Sequence, residues 1–368
     1  MLGEDVAKVE KLSEDLAVVR LSRPARAVAT VPPIPGPDGL VESLVFAKVP
    51  EDFCPRDLLG YYREVLKLAG ASSGVVLLSA VPPRELVEVE LPEVRARVFM
   101  SVSLRPATCL SSPQVFEPMR LGTVNVAVVV SEPLTVSAMV DLVKTVAEAK
   151  GTAFSDSLVR CESRSFGTVS DAIAVVKPAN LPEEILFAGA STKLGRAVGD
   201  VVYRVLVSKA MGDVPEELLK RVTGLGVEEV LDLFSQAYAR AHVPGISPEE
   251  ARERARRLLK EVLEDANVWS FLIAARELDL HGASGTIPGV GAEEFSGDPV
   301  RLVADEVLGL ALALYIAGFK GVFSTYWVER LKERGDLSHG KLHPFEDDVV
   351  SALVGSLITK LLDELGRR

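Results

Sequence analysis

The chain has 368 residues, 48% of them apolar, with 52 acidic against 41 basic side chains and a net charge of −11. That length and apolar fraction favour two domains with separate cores and exclude disorder over most of the chain; the acidic balance lacks the basic footprint that nucleic-acid binding needs. Three cysteines, odd in number and outside CxxC spacing, suggest neither a disulfide framework nor a thiolate zinc site, and the acidic N-terminus lacks a signal-like apolar core, so a cytoplasmic protein is expected.

From residue 1 to about 131, short β-branched runs are broken by Pro and Gly: Leu16 to Leu21, Ala27 to Val31, Val41 to Val49, Gly74 to Ala80, Leu86 to Leu91 and Val94 to Leu104. These predict strands, with one helix over Pro55 to Leu68. Leu121 to Val130 predicts another strand, in which Val124, Val126 and Val128 share one face and Thr123 and Asn125 the other. A helix over Thr135 to Phe154, a strand over Val169 to Val176 and a helix over Ser191 to Lys209 follow. Strands bunched early without a βαβ rhythm predict an α+β domain, mostly antiparallel strands with flanking helices, over residues 1–212.

Residues 213–368 predict an all-α domain. Pro215 to Thr223, Val227 to His242, Pro248 to Leu263 and Ala266 to Leu280 have helical periodicity, and a Gly-rich stretch from Gly282 to Gly291 reads best as a flexible connector, the alternative being a loop that wraps a phosphate with its backbone N–H groups. The longest uncharged apolar run, Val307 to Phe319, falls short of the roughly 20 residues of a membrane span and predicts a buried helix.

Asp298 before Pro299 has the form of an N-cap, which would place Asp305 and Glu306 about two turns inside a helix, beyond the reach of capping. Asp347 and Asp348 follow Pro344 at the start of a second apolar helix, where a helix-dipole role alone would also explain them. Together the two dyads suggest convergence on a hard divalent cation, Mg2+, with Arg330, Lys332 and Arg334 available for a phosphate. His339 and His343 read as loop residues.

Asp265-Ala266-Asn267-Val268, Ser284-Gly285-Thr286-Ile287-Pro288-Gly289, Asp298-Pro299, Val303 to Gly309, Tyr315 to Gly318 and Pro344 to Asp348 together resemble the CobZ-type α-ribazole phosphatases, soluble relatives of the phosphatidylglycerophosphatase A family. The resemblance implies metal-dependent hydrolysis of α-ribazole 5′-phosphate, with Asp305, Glu306, Asp347 and Asp348 at the metal. Those lipid-phosphatase relatives usually carry Gly-Gly where this chain has Leu342-His343-Pro344.

In the first half, hydroxyls at Thr168 and Ser170 beside Asp171 suit nucleophilic or general-base chemistry, but all four histidines lie after residue 240, so a serine-hydrolase triad is excluded. Lys144 and Glu148, spaced i,i+4, read most simply as a surface pair. Gly122-Thr123-Val124-Asn125, Glu148-Ala149-Lys150, Gly167 to Asp171 and Phe187 to Gly195 resemble the motifs of CbiZ-type adenosylcobinamide amidohydrolases. That resemblance implies cleavage of the aminopropanol amide of adenosylcobinamide, with Asn125, Glu148, Lys150, Thr168, Ser170 and Asp171 as site residues and no cofactor. Both activities on one chain resemble the bifunctional CbiS type. The rival reading is a corrinoid-binding module fused to a metal-dependent phosphatase of a phospholipid head group. No membrane span is expected, and a homo-oligomer is compatible with the sequence.

Overall fold

The computed structural model describes residues 7–50, 52–110, 123–212, 215–241, 245–338 and 340–366. The expected strand start at Leu121 and Gly122, the residues Asp213 and Val214 at the expected boundary, His242 and His339 lie outside them. The chain forms two compact units, Met1–Gly212 and Asp213–Arg368. The first has a mixed sheet flanked by helices and the second is all helical.

In the first unit, β1 (Ala7–Lys11), β2 (Leu16–Ala29) and β3 (Val41–Lys48) precede α1 (Leu58–Leu68) and β4 (Val75–Ser79). Then come β5 (Val87–Leu91), β6 (Ala96–Val102), β7 (Ala107–Cys109), β8 (Val124–Val130) and α2 (Val136–Asp156). β9 (Ser165–Thr168), β10 (Ala172–Pro178) and α3 (Lys193–Met211) complete it. The main sheet runs β4-β3-β2-β10-β8-β6-β5, with β1 on β2, and β7 pairs β9 separately. The two runs expected as separate strands at Leu16 and Ala27 are one strand: β2 passes Pro24 through a shift in register between Arg20 and Ala25, where a missing N–H is tolerated.

Most pairings are antiparallel, but β3 with β4 and β8 with β10 are parallel. Contrary to the expectation from rhythm, two βαβ crossovers exist, through α1 and α2. Antiparallel strands inserted between the units mask the repeat.

The alternation expected in β8 holds. Val124, Val126, Val128 and Val130 pack with Met139, Leu142, Val198 and Val202 of α2 and α3, while Ala127 and Val129 join Phe46, Leu77 and Phe99 in a separate core on the opposite face. The Asn125 Nδ2 donates to Leu78 O of β4 at 2.8 Å. Those strands stand four places apart in the sheet, roughly 19 Å if it were flat. The sheet therefore curls until β4 approaches β8, enclosing the second core.

The second unit comprises α4 (Pro215–Thr223), α5 (Val227–Ala241), α6 (Pro248–Val262), α7 (Ala266–Ala283), the short α8 (Ala292–Ser296), α9 (Ala304–Glu333) and α10 (Pro344–Gly366). α10 is the central helix, buried at every position from Val349 to Thr359. α9 is not straight. Gly318 adopts φ 65°, ψ −162°, outside helical space. A Cβ on Gly321 would lie 2.7 Å from the Ala313 carbonyl oxygen, and Asp305 and Glu329 both reach Asp348. A straight helix would hold those two carboxylates roughly 36 Å apart. α9 is thus a helical hairpin that turns at Gly318, its limbs antiparallel.

Taken whole, α9 is long and apolar enough to cross a membrane by length and composition. Folded in two, each limb is about 21 Å long, short of the roughly 30 Å of a bilayer core. The buried helix expected over Val307 to Phe319 is instead exposed at Val307, Leu310, Leu314 and Phe319, because one side of each limb suffices to cover α10.

Candidate functional site

Asp171 follows the turn that joins β9 to β10, and its carboxylate gathers the polar residues of the first unit. Oδ1 accepts from Val124 N at 2.8 Å and from the Thr168 hydroxyl; Oδ2 accepts from Thr168 N at 2.9 Å and from the Lys150 ammonium. Thr123 and Ser170 share a hydroxyl bond of 2.7 Å alongside. Both Lys150 and Asp171 are largely buried, so the pair acts at low dielectric, where charge-assisted bonds are strong. Lys150, Thr168, Ser170 and Asp171 thus come together as the sequence suggests, with Thr123 added.

Asn125 sits one strand residue away, on the same curled end as Ser79 and Ser101, whose hydroxyls are 3.4 Å apart. It is fully buried, and among the described residues nothing donates to its Oδ1. An orphaned buried carbonyl oxygen costs about 1–3 kcal/mol, a cost that an incoming donor removes. Ser79 and Ser101 were missed because single serines at strand ends carry no sequence signal.

Glu148 lies elsewhere. It lines a cavity of about 560 Å3 between α2 and α3, with Arg196, Asp200 and Arg204. The expected Lys144–Glu148 pair is not the one formed: Lys144 reaches Asp141 at 2.7 Å, one residue closer in the helix. Asp141 also accepts from Ala188 N at 3.1 Å, so it grips the Phe187-Ala188-Gly189 turn. Its Lys144 bond, then the Ala188 and Gly189 amides, holds its pKa below the ordinary value. Beyond that turn Thr192 caps α3 through Gly195 N, and a Cβ on Gly195 would lie 2.0 Å from Gly189 O, so backbone packs on backbone there.

A further difference concerns the cysteines. Cys109 and Cys161 form a disulfide with Cα atoms 5.6 Å apart, beside the β7–β9 ribbon that delivers Thr168, and Cys54 is free and exposed. An odd count without familiar spacing hid this pairing.

In the second unit the helix expected from Asp298 begins only at Ala304. Asp298 has φ 53°, a left-handed turn residue and not an extended cap, so Asp305 and Glu306 stand in the first helical turn. Asp305, Glu306 and Asp348 offer oxygens within 4.8 Å of one another, and so do Glu329, Asp347 and Asp348. The four carboxylates expected at one point therefore divide between two groups sharing Asp348. Glu329 was missed because Arg330, Lys332 and Glu333 make its stretch read as a solvated helix end.

Burial, then Glu306, raises Asp305 to about 7; burial, then Glu329 and Asp305, raises Asp348 to about 8. Asp298 is raised by burial and then by Glu306 and Asp347. Lys332 threads this acidic field, donating to Glu329 at 2.9 Å, Ser351 at 2.8 Å and Asp347. Burial works against its charge, but Asp347 and Glu329 outweigh it, and its pKa rises. Carboxylate oxygens in this density are the donors Mg2+ takes, and a cation would relieve their repulsion. Of the other bases, Arg330 lies over the Tyr326 ring and Arg334 is exposed at the end of α9.

The segment carrying these dyads is supported from below. Asp279 of α7 accepts from Phe345 N at 3.1 Å and Glu346 N at 2.8 Å, capping α10, while Arg276 pairs with Glu346 at 3.1 Å, both fully buried. A Cβ on Gly309 would meet Asp348 O at 2.9 Å, so Gly309 lets the first limb of α9 approach α10.

Residues 3–214 match the family model described as CbiZ, adenosylcobinamide amidohydrolase. The chain is 33% identical over 124 residues to "Uncharacterized protein MJ1330" of Methanocaldococcus jannaschii, covering 32% of this chain and 94% of that protein. Among solved structures, the low temperature requirement C protein from Listeria monocytogenes is 18% identical, with TM-score 0.35, over 42% of this chain and 98% of that one. A protein of unknown function from Bacillus stearothermophilus is 21% identical, with TM-score 0.33, over 41% and 99%. The family match spans more than half of the chain, which belongs to the CbiZ adenosylcobinamide amidohydrolase family.

Proposed function

We propose that this member of the adenosylcobinamide amidohydrolase family is bifunctional: its first unit cleaves the aminopropanol amide of adenosylcobinamide to adenosylcobyric acid, and its helical unit dephosphorylates α-ribazole 5′-phosphate. The family match over residues 3–214 carries the first activity. The buried Lys150–Asp171 pair with its flanking hydroxyls supports placing the chemistry there. Water adds to the amide carbonyl carbon, the C–N bond breaks, and the amine leaves with a proton. Lys150 supplies positive charge where the carbonyl oxygen becomes negative. Asp171, with both oxygens engaged, positions Lys150 and Thr168 and orders the start of β8.

For the second activity the supporting observation is the pair of carboxylate groups that meet at Asp348. Asp305, Glu306 and Asp348 on one side, and Glu329, Asp347 and Asp348 on the other, would hold Mg2+. A metal held there would supply Lewis-acid polarisation of a phosphoryl oxygen and a bound water of lowered pKa. Lys332 holds Asp347 and Glu329 in place and offsets part of their charge. The products test the reading. Mass analysis with adenosylcobinamide should show adenosylcobyric acid and aminopropanol, and α-ribazole 5′-phosphate should yield phosphate only with divalent metal. Corrinoid binding without cleavage, or hydrolysis of phospholipid head groups alone, would favour the rival reading.

A further inference from the structure

α9 presents an outer face that no described residue of its own unit covers. Its buried positions, Asp305, Gly309, Leu312 and Ala313 on one limb and Gly321, Thr325, Val328 and Leu331 on the other, form its inner side, on which Gly309 and Thr325 touch α10. On the side away from α10, Val307, Leu310 and Leu314 follow i, i+3, i+7 spacing and Phe319, Phe323 and Tyr326 follow i, i+4, i+7. All six are exposed, from 37% at Leu310 to 76% at Phe319. The hairpin register, set by Gly321 against Ala313, brings Val307 level with Tyr326, Leu310 with Phe323 and Leu314 with Phe319. The two stripes make one two-helix apolar sheet.

We infer that this face is where a second copy of the chain packs, hairpin on hairpin about a two-fold axis, closing a four-helix layer. The area supports that occupant. The six residues leave on the order of 700 Å2 uncovered, above the roughly 300–600 Å2 of the largest patch on a typical monomer and close to the roughly 800 Å2 per partner of a stable interface. A face of two antiparallel apolar helices is self-complementary, as an isologous contact requires. A bilayer fits worse: each limb is too short to span it, and a net charge of −11 opposes anionic lipid surfaces.

Sedimentation equilibrium of the full chain should give twice its 39.5 kDa mass. Phe319→Glu combined with Phe323→Glu should raise the dissociation constant by roughly 100-fold or more, while Leu68→Glu, exposed on the first unit, should leave it unchanged. Hydrogen exchange in wild type should slow across residues 307–326 as concentration rises through the association range. A wild-type monomer at roughly 100 μM, with or without binding to phosphatidylglycerol vesicles, overturns the inference. So does a dimer that survives the double substitution with its helical circular dichroism intact.

Discussion

Asp305 and Glu329 lie on opposite limbs of α9, yet both face Asp348 of α10. The turn at Gly318 therefore does chemical as well as architectural work, because it folds one apolar segment into two walls of a single acidic site. If the two carboxylate groups hold metal, Asp348 belongs to both. Asp348→Asn should abolish metal-dependent phosphate release, lowering the rate by about 100-fold or more, since charge is lost at both groups. Glu329→Gln should weaken one group and leave the other, which metal stoichiometry by equilibrium dialysis would register. Equal loss of stoichiometry in both variants would contradict the division.

Gly309→Ala tests the close approach of α9 to α10. Its Cβ would fall 2.9 Å from the Asp348 carbonyl oxygen, so the backbone must shift. The expected cost is about 1–3 kcal/mol in stability, by overpacking, together with weaker metal binding. Unchanged metal affinity and unchanged melting temperature would remove Gly309 from the account.

The support beneath α10 carries its own expectation. Arg276→Met strips fully buried Glu346 of its guanidinium partner and should cost about 3–5 kcal/mol in urea unfolding. Asp279 adds a pH signature. Burial, and then the Glu346 carboxylate, raises it to about 8 from 3.8. The folded chain keeps a proton that the unfolded chain gives up, so this contribution is full below about pH 4 and is lost as pH rises through about 8. Asp279→Asn retains an acceptor for the cap and should flatten the fall in stability between those limits. A variant with the wild-type slope would refute the assignment.

Much of this was legible in the residues. The valine alternation of β8 placed Asn125 opposite the helix-packed face, and the motif around Gly167 located the Asp171 turn. Neither the curl of the sheet nor the hairpin could be read, because both depend on contacts between residues far apart in the chain. Leu78 meets Asn125 only after five strands are assembled, and Gly318, inside an uninterrupted apolar run, resembles any helical glycine. Asp298 misled for a local reason: an Asp before Pro looks like a cap until its left-handed φ is known. Glu148 and Asp171 share a motif set but face different surroundings, one a cavity and the other a buried lysine.

The cysteines allow a direct count. One reactive thiol, Cys54, is expected in the native chain and three after reduction and denaturation. Cys109→Ser with Cys161→Ser should lower stability by about 4 kcal/mol, the closure entropy for a separation of 52 residues. Three thiols titrating in the native, unreduced chain would mean that the bridge is absent.

The central claim, amide hydrolysis at the Asp171 cluster of the first unit, is tested most directly by one paired assay on Asp171→Ala. Removing the carboxylate frees Lys150 and unties Thr168 and the start of β8. Adenosylcobyric acid release from adenosylcobinamide should fall by about 1,000-fold, the order expected when a preorganised charge is lost. Phosphate release from α-ribazole 5′-phosphate by the same preparation should remain at the wild-type rate, which shows that the second unit is intact, and an unchanged circular dichroism spectrum checks that the first is folded. Wild-type amide cleavage in that variant would contradict the account.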